Sequence, residues 1–197
     1  MADVKHFDPD TALDLAMRVF WRQGAAATGI QDIVDATGLN RSSLYATFGG
    51  KQQLYRAALD RYARDRSRTL LGPLEEDGRG LPAVHAFFER LVETRCTGEF
   101  ARWGCMVSNA HAGGENGDPE VRAVLDRQHR RLRSALHAAL VSAQRQRQLA
   151  DGADPETAAE ILALLAHGVN LRSRAGADAA ALRATAAAAV DAVARPV

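Results

Sequence analysis

The sequence predicts an all-α protein, and three observations carry that prediction. Apolar residues recur at helical spacing in almost every segment of the 197-residue chain. Start and stop signals punctuate it, in the form of Asp-Pro-Glu triplets and isolated glycines. No stretch alternates apolar and polar residues with the β-branched enrichment of a strand.

The elements follow in order. Asp8 or Asp10 can cap a first helix, because a short carboxylate accepts from the unsatisfied N–H groups of a first turn. Leu13, Ala16, Met17 and Phe20 line its buried face, and Gly24 offers a left-handed stop. Thr28 is the expected cap of a second helix holding Ile30, Ile33, Val34 and Ala36, which stops at Thr37-Gly38. A turn at Leu39-Asn40 leads straight into a third helix, Arg41 to Thr47, broken by Gly49-Gly50. Lys51 opens a long fourth helix with Leu54, Tyr55, Ala58, Leu59 and Tyr62 on its stripe, and Gly72-Pro73 is expected to end it. The apolar stripe Val84, Phe87, Phe88, Leu91 and Val92 marks a helix from Ala83 to Arg95. A break from Gly98 to Gly104 and a short apolar stretch, Cys105 to Ala110, come next. Asp118-Pro119-Glu120 and Asp154-Pro155-Glu156 each combine a cap, an N1 proline and an acidic first turn. The first starts a helix reaching about Arg147, the second a helix containing Ile161, Leu162, Leu164, Leu165, Val169 and Leu171. Asp178 caps an alanine-rich last helix that ends near Arg195-Pro196. The expected organisation is a three-helix unit over 1–50, a linking helix over 51–72 and a helical body over 73–197.

Composition narrows the function classes. With 47% hydrophobic and 25% charged residues the chain reads as a soluble globular protein. No apolar run approaches the roughly 20 residues of a membrane span, so no membrane partner is expected. Met1 to Asp10 lacks the apolar core of a signal peptide, and a cytoplasmic protein is expected. Cys96 and Cys105 are too few for a disulfide framework. A net charge of +1 does not point to nucleic acid by itself.

Pattern does. Residues 28–55, TGIQDIVDATGLNRSSLYATFGGKQQLY, read as two short helices joined by a tight glycine-containing turn, a helix-turn-helix whose second helix fits the major groove. Ile30, Ile33, Val34, Leu39 and Leu44 pack the pair together. Arg41, Ser42, Ser43, Tyr45 and Thr47 are left on the other side, where hydroxyls suit phosphate oxygens and a guanidinium suits guanine. Lys51 adds a cation at a helix N-terminus, an arrangement suited to phosphate.

At these residues the chain resembles the TetR family of bacterial one-component regulators. The resemblance rests on the helix before Gly24, on Thr28, on the Gly38-Leu39 turn, on Leu44-Tyr45 followed by Phe48 and Lys51, and on Leu54-Tyr55. It covers roughly the first third of the chain. Gly49-Gly50 and Gln52 depart from it, standing where the family often has a bulkier or charged residue and an acid. The resemblance implies double-stranded DNA as partner, with backbone contacts by Thr28, Tyr45, Thr47 and Lys51 and base-edge contacts by Arg41, Ser42 and Ser43. It also implies a C-terminal ligand-binding and dimerisation domain, in which the last two long helices pair with those of a second subunit. The apolar circumference of Ile161 to Leu171 and the small residues from Ala179 to Ala194 agree with that pairing.

For the effector, Phe87, Phe88, Leu91, Trp103, Cys105, Met106 and His129 are the candidate lining of an apolar cavity, with ordinary core packing as the alternative. Trp103-Gly104-Cys105-Met106 resembles a Gly-Cys element near the pocket in several branches of the family, some of which sense electrophiles or oxidants. A thiol lowered in pKa by Arg102 or a helix terminus would serve such sensing, with Cys96 as resolving thiol; a packed inert thiol is the alternative. His111, His129, His137 and His167 share no close ligand spacing, so neither a metal site nor any other cofactor is expected. The function expected is a homodimeric, ligand-responsive DNA-binding repressor rather than an enzyme, with a small-molecule effector that the sequence does not name. A thiol-based sensor of the same fold is the alternative, and a thiol-dependent enzyme a more distant one.

Overall fold

The structure is a computed structural model and describes residues 7–192. Nine α-helices occupy the described residues, without a β-strand. They are α1 (Pro9–Gln23), α2 (Ile30–Thr37), α3 (Arg41–Phe48), α4 (Lys51–Glu76), α5 (Leu81–Cys96), α6 (Met106–Ala112), α7 (Pro119–Arg145), α8 (Pro155–Arg174) and α9 (Ala179–Asp191), with a single 3-10 turn, Gly114–Gly117, before α7.

Local chemistry sets most boundaries. The side chains of Asp8, Asn40, Asp118, Asp154 and Asp178 each accept a backbone N–H of the first turn of α1, α3, α7, α8 and α9. Gly24, Gly38 and Gly49 close α1, α2 and α3 at φ values of 87°, 68° and 86°, a region that favours glycine. Two expectations need correction here. The cap of α2 is Gly29, whose N–H is held by the Asp32 carboxylate at 2.7 Å; Thr28 is one residue too early. And α4 does not stop at Gly72-Pro73 but runs through the proline to Glu76. Pro73 forfeits one helix hydrogen bond and crowds the carbonyl four residues back, but the glycine before it has no Cβ for the ring to meet, which removes one part of the cost. Leu70, Leu71 and Leu74 are buried in this last stretch, so packing favours continuation. The expected end of the last helix near Arg195-Pro196 lies outside the described residues.

Two hydrophobic cores result. One gathers Phe20, Trp21, Ile33, Leu44, Leu54, Leu59 and Tyr62 with Met106, Val107, Val121 and Leu125 from α6 and the start of α7. The other joins the end of α4 to α5, the rest of α7, α8 and α9. The reading head α1–α3 thus shares its core with the segment 106–125, and α4 runs through both cores. Side-chain bonds reinforce the joint: Arg56 and Gln52 of α4 hold the α7 cap Asp118 at 2.8 Å each. The departure at Gln52 therefore has a use within the fold.

Candidate DNA-reading head and effector cavity

Helix α3 buries only Leu44 fully. Arg41, Ser42 and Tyr45 are exposed, and Ser43 and Thr47 are half-buried. An aromatic ring left 42% exposed on an eight-residue helix needs a reason beyond core packing. The Asn40 carboxamide oxygen accepts from the Ser43 N–H at 2.8 Å and the Ser42 hydroxyl at 2.6 Å, which fixes the first turn of the exposed edge.

Two of the sequence-assigned contacts turn inward. Thr28 is buried, and its hydroxyl donates to the Gly24 carbonyl at 2.7 Å. Lys51 is half-buried, and its ammonium donates to the carbonyls of Ala25 at 3.0 Å and Thr28 at 2.8 Å. Their side chains set the α1–α2 turn against the start of α4, behind the exposed face. The carbonyls of that turn require a donor, and the lysine supplies it.

The body holds a cavity between α4, α5, α6, α7 and α8, with a central space of about 50 Å³. Phe87, Leu91 and Cys105 line it as expected. The other four expected lining residues do not. Phe88 is buried in the core of the body against Phe87, their rings 5.1 Å apart. Trp103 belongs to an aromatic hub described below. Met106 is buried and faces a separate cleft shared with Phe20 and Tyr55. His129 lies behind His167, 3.4 Å from its Nε2, with its other ring nitrogen 3.4 Å from Glu160.

Sequence reasoning missed the polar half of the cavity: Tyr62, Arg95, Ser108, Gln128, His167 and Asn170 also line it. Arg95 is 1% exposed, and its Nε donates to the Asn170 Oδ1 at 2.6 Å. An arginine placed on the apolar stripe of an amphipathic helix was the available signal. The imidazoles of His111, His129 and His167 come together from three helices, His167 bonding to Ser108 at 3.0 Å. Burial and the two neighbouring imidazoles push the His167 pKa down to about 4. No group of three potential ligands among the described residues is arranged to hold a metal ion.

A joint connects cavity to head. The Trp21 ring of α1 lies 4.9 Å from Tyr62, 5.1 Å from Phe100 and 5.2 Å from Trp103. Its indole N–H donates to the Gly104 carbonyl at 3.1 Å. Arg174, at the end of α8, donates to the carbonyls of Trp21, Arg22 and Trp103. Cys105 caps α6 and follows Gly104 directly, so the cavity wall and the joint are consecutive residues. Arg95 and Cys105 line the same cavity, whereas Arg102 acts on Cys96. Burial raises the Cys96 pKa, and the two free cysteines pack against different cores.

A small helix-turn-helix head whose third helix is left bare, carried on an all-helical body with an internal cavity, defines a DNA-binding transcription regulator that responds to a ligand. The chain belongs to the TetR family: the model described as bacterial regulatory proteins of the tetR family matches residues 12–58, and that of the tetracyclin repressor-like C-terminal domain matches residues 80–189. It is 29% identical over 174 residues to the transcriptional repressor ComR of Escherichia coli, covering 88% of this chain and 83% of that one. It is 30% identical over 155 residues to the regulator YezE of Bacillus subtilis, covering 79% of each. Among solved structures, a cysteine variant of the TetR family regulator CifR, bound to 26-base-pair operator DNA, superposes with a TM-score of 0.80 at 27% identity, covering 98% of this chain and all of that one. The reduced form of Escherichia coli NemR shares the fold, with a TM-score of 0.80 at 19% identity over 94% of this chain and 95% of that one.

Proposed function

We propose that the chain is a homodimeric repressor that holds a palindromic operator with two copies of α3 and releases it when a small molecule enters the cavity beside Arg95 and Cys105. The observation that carries this reading is the bare face of α3, with Arg41, Ser42 and Tyr45 exposed on a head whose core is continuous with α6. Arg41, Ser42 and Ser43 are the proposed base-edge contacts, and Tyr45 and Thr47 reach the phosphates. Thr28 and Lys51 support them from behind. The operator-bound state of CifR supports double-stranded DNA as the partner. The dimer is proposed to form on α8, where Ile161, Leu164 and Leu171 are 53%, 59% and 40% exposed beside the small residues of α9. Such a stripe on a regular helix is the signature of a partner. The chain works in the cytoplasm, and its cavity binds without turnover.

Two recognition helices must sit about 34 Å apart to enter successive major grooves. A ligand acts only through the difference in its affinity for the two geometries. Tyr62 provides the path, since it lines the cavity and packs on Trp21 of α1. Selection of genomic fragments by the purified protein tests the reading. An enriched palindrome whose binding falls steeply with salt is expected, because phosphate contacts release counterions; no enrichment would refute it.

The place of Cys105 in the cavity lining favours a second route to release, covalent modification of that thiol. Titration of wild type and Cys105→Ser with N-ethylmaleimide while following operator binding separates the two. Identical curves eliminate the thiol route.

A further inference from the structure

We infer that the cavity selects a small carboxylate, received by the buried guanidinium of Arg95. The inference rests on the reading of this cavity as the effector site and names the chemistry of what enters it.

Arg95 is almost wholly buried, and a guanidinium keeps its charge in a protein interior. Such a charge ordinarily has a carboxylate beside it. Here no residue lining the cavity is acidic, and Arg95 takes part in no ion pair among the described residues. Its Nη1 has no hydrogen-bond partner. Its Nε is held by Asn170, whose own N–H group is turned back to the Ala166 carbonyl at 2.8 Å. Asn170 therefore presents its oxygen to Arg95 in a fixed orientation, which makes it a positioning residue. An amide dipole orients a guanidinium but does not neutralise it.

The other polar groups do not add a second cation. His167 is unprotonated at neutral pH, for the reasons given above, and bonds to Ser108. One cation at one end and Leu70, Leu71, Phe87, Leu91 and Leu132 around the rest describe an amphipathic anion with a short apolar tail. A central space of about 50 Å³ holds about four water-sized groups, which sets the length of that tail at a few carbons unless the walls move. A carboxylate matches the planar fork of a guanidinium with two parallel hydrogen bonds.

The test needs no DNA in its first arm. Purified protein is melted in the presence of propionate, butyrate and 2-oxobutyrate, and of propionamide, butyramide and butanol at equal concentration. At least one carboxylate should raise the melting temperature where its matched amide and alcohol do not. Arg95→Met should lose about tenfold or more in affinity for that carboxylate, as expected for a hydrogen bond to a charged group. Without ligand, the variant should melt at or above the wild-type temperature, because an uncompensated buried charge has been removed. Equal responses to carboxylates and amides by wild type would overturn the inference, whether or not the variant folds. So would a carboxylate response undiminished in Arg95→Met. A Cys105 sulfur that alkylates rapidly at mildly acid pH in wild type, and slowly in Arg95→Met, would identify an internal counter-ion and overturn it as well. Operator binding by the unliganded protein is measured separately: its absence refutes the regulator reading, while its presence with no carboxylate response refutes only this one.

Discussion

The buried imidazole of His167 makes the stability of the body depend on pH. Its pKa in the folded protein is about 4, against an ordinary value near 6.5, because burial and the imidazoles of His111 and His129 oppose its charge. Between those two values the unfolded chain binds the proton and the folded chain does not. Stability from this group is therefore complete above about pH 6.5 and declines as pH falls toward 4. The expected loss is roughly 1 to 2 kcal/mol after allowance for solvent screening, and His167→Gln should flatten the melting profile across that window. Gly104 is a second sensitive residue. It sits at φ 68°, and a Cβ there would lie 2.9 Å from the Asn109 Oδ1 and 3.1 Å from the Asn170 carbonyl. Gly104→Ala should cost about 1 to 3 kcal/mol in thermal unfolding. Neither residue was legible in the sequence. The imidazole array is assembled from three separate helices, and the tightness around Gly104 arises from α6 and α8 together. Lys51 was legible as special but not in its role, since a lysine at a helix start reads the same whether it faces phosphate or a neighbouring turn.

At the scale of the element, the caps were legible and most of them fell where the sequence placed them, because a cap is a local hydrogen bond. Asn40→Ala should destabilise α3 by about 1 kcal/mol, measurable as a lower melting temperature, and should weaken operator binding by loosening Ser42. Within α3, Tyr45→Ala should reduce affinity evenly across operator variants, whereas Arg41→Ala should relax preference at particular bases by about 1 to 3 kcal/mol. A binding series over single-base variants of the selected operator distinguishes the two. The end of α4 was misjudged because a Gly-Pro pair is a stop signal only when nothing rewards continuation. Three buried leucines do so here, and the glycine before the proline removes one of the steric clashes.

For the whole molecule, the exposed stripe of α8 gives the plainest test. Leu164→Glu should yield a monomer in light scattering at micromolar concentration, since a charge buried without a partner costs several kcal/mol. Leu165 is a poorer site for the same test, because it packs against the core of its own subunit. The all-helical class and the bare recognition helix could be read from the chain, since periodicity and turn chemistry are local. The cavity could not. Five helices supply its walls, and of the residues chosen by apolar character only Phe87, Leu91 and Cys105 reach it, while the polar ones that define its chemistry resembled ordinary amphipathic-face residues.

The chain has two tryptophans, and both sit in the hub between head and body with their rings 5.2 Å apart. Its tryptophan emission, excited where tyrosine does not absorb, therefore originates at that joint. Any rearrangement that loosens Trp21 from the Gly104 carbonyl should alter the emission without a label, so the protein carries its own optical gauge of whether a compound in the cavity has been felt by the helices that hold DNA.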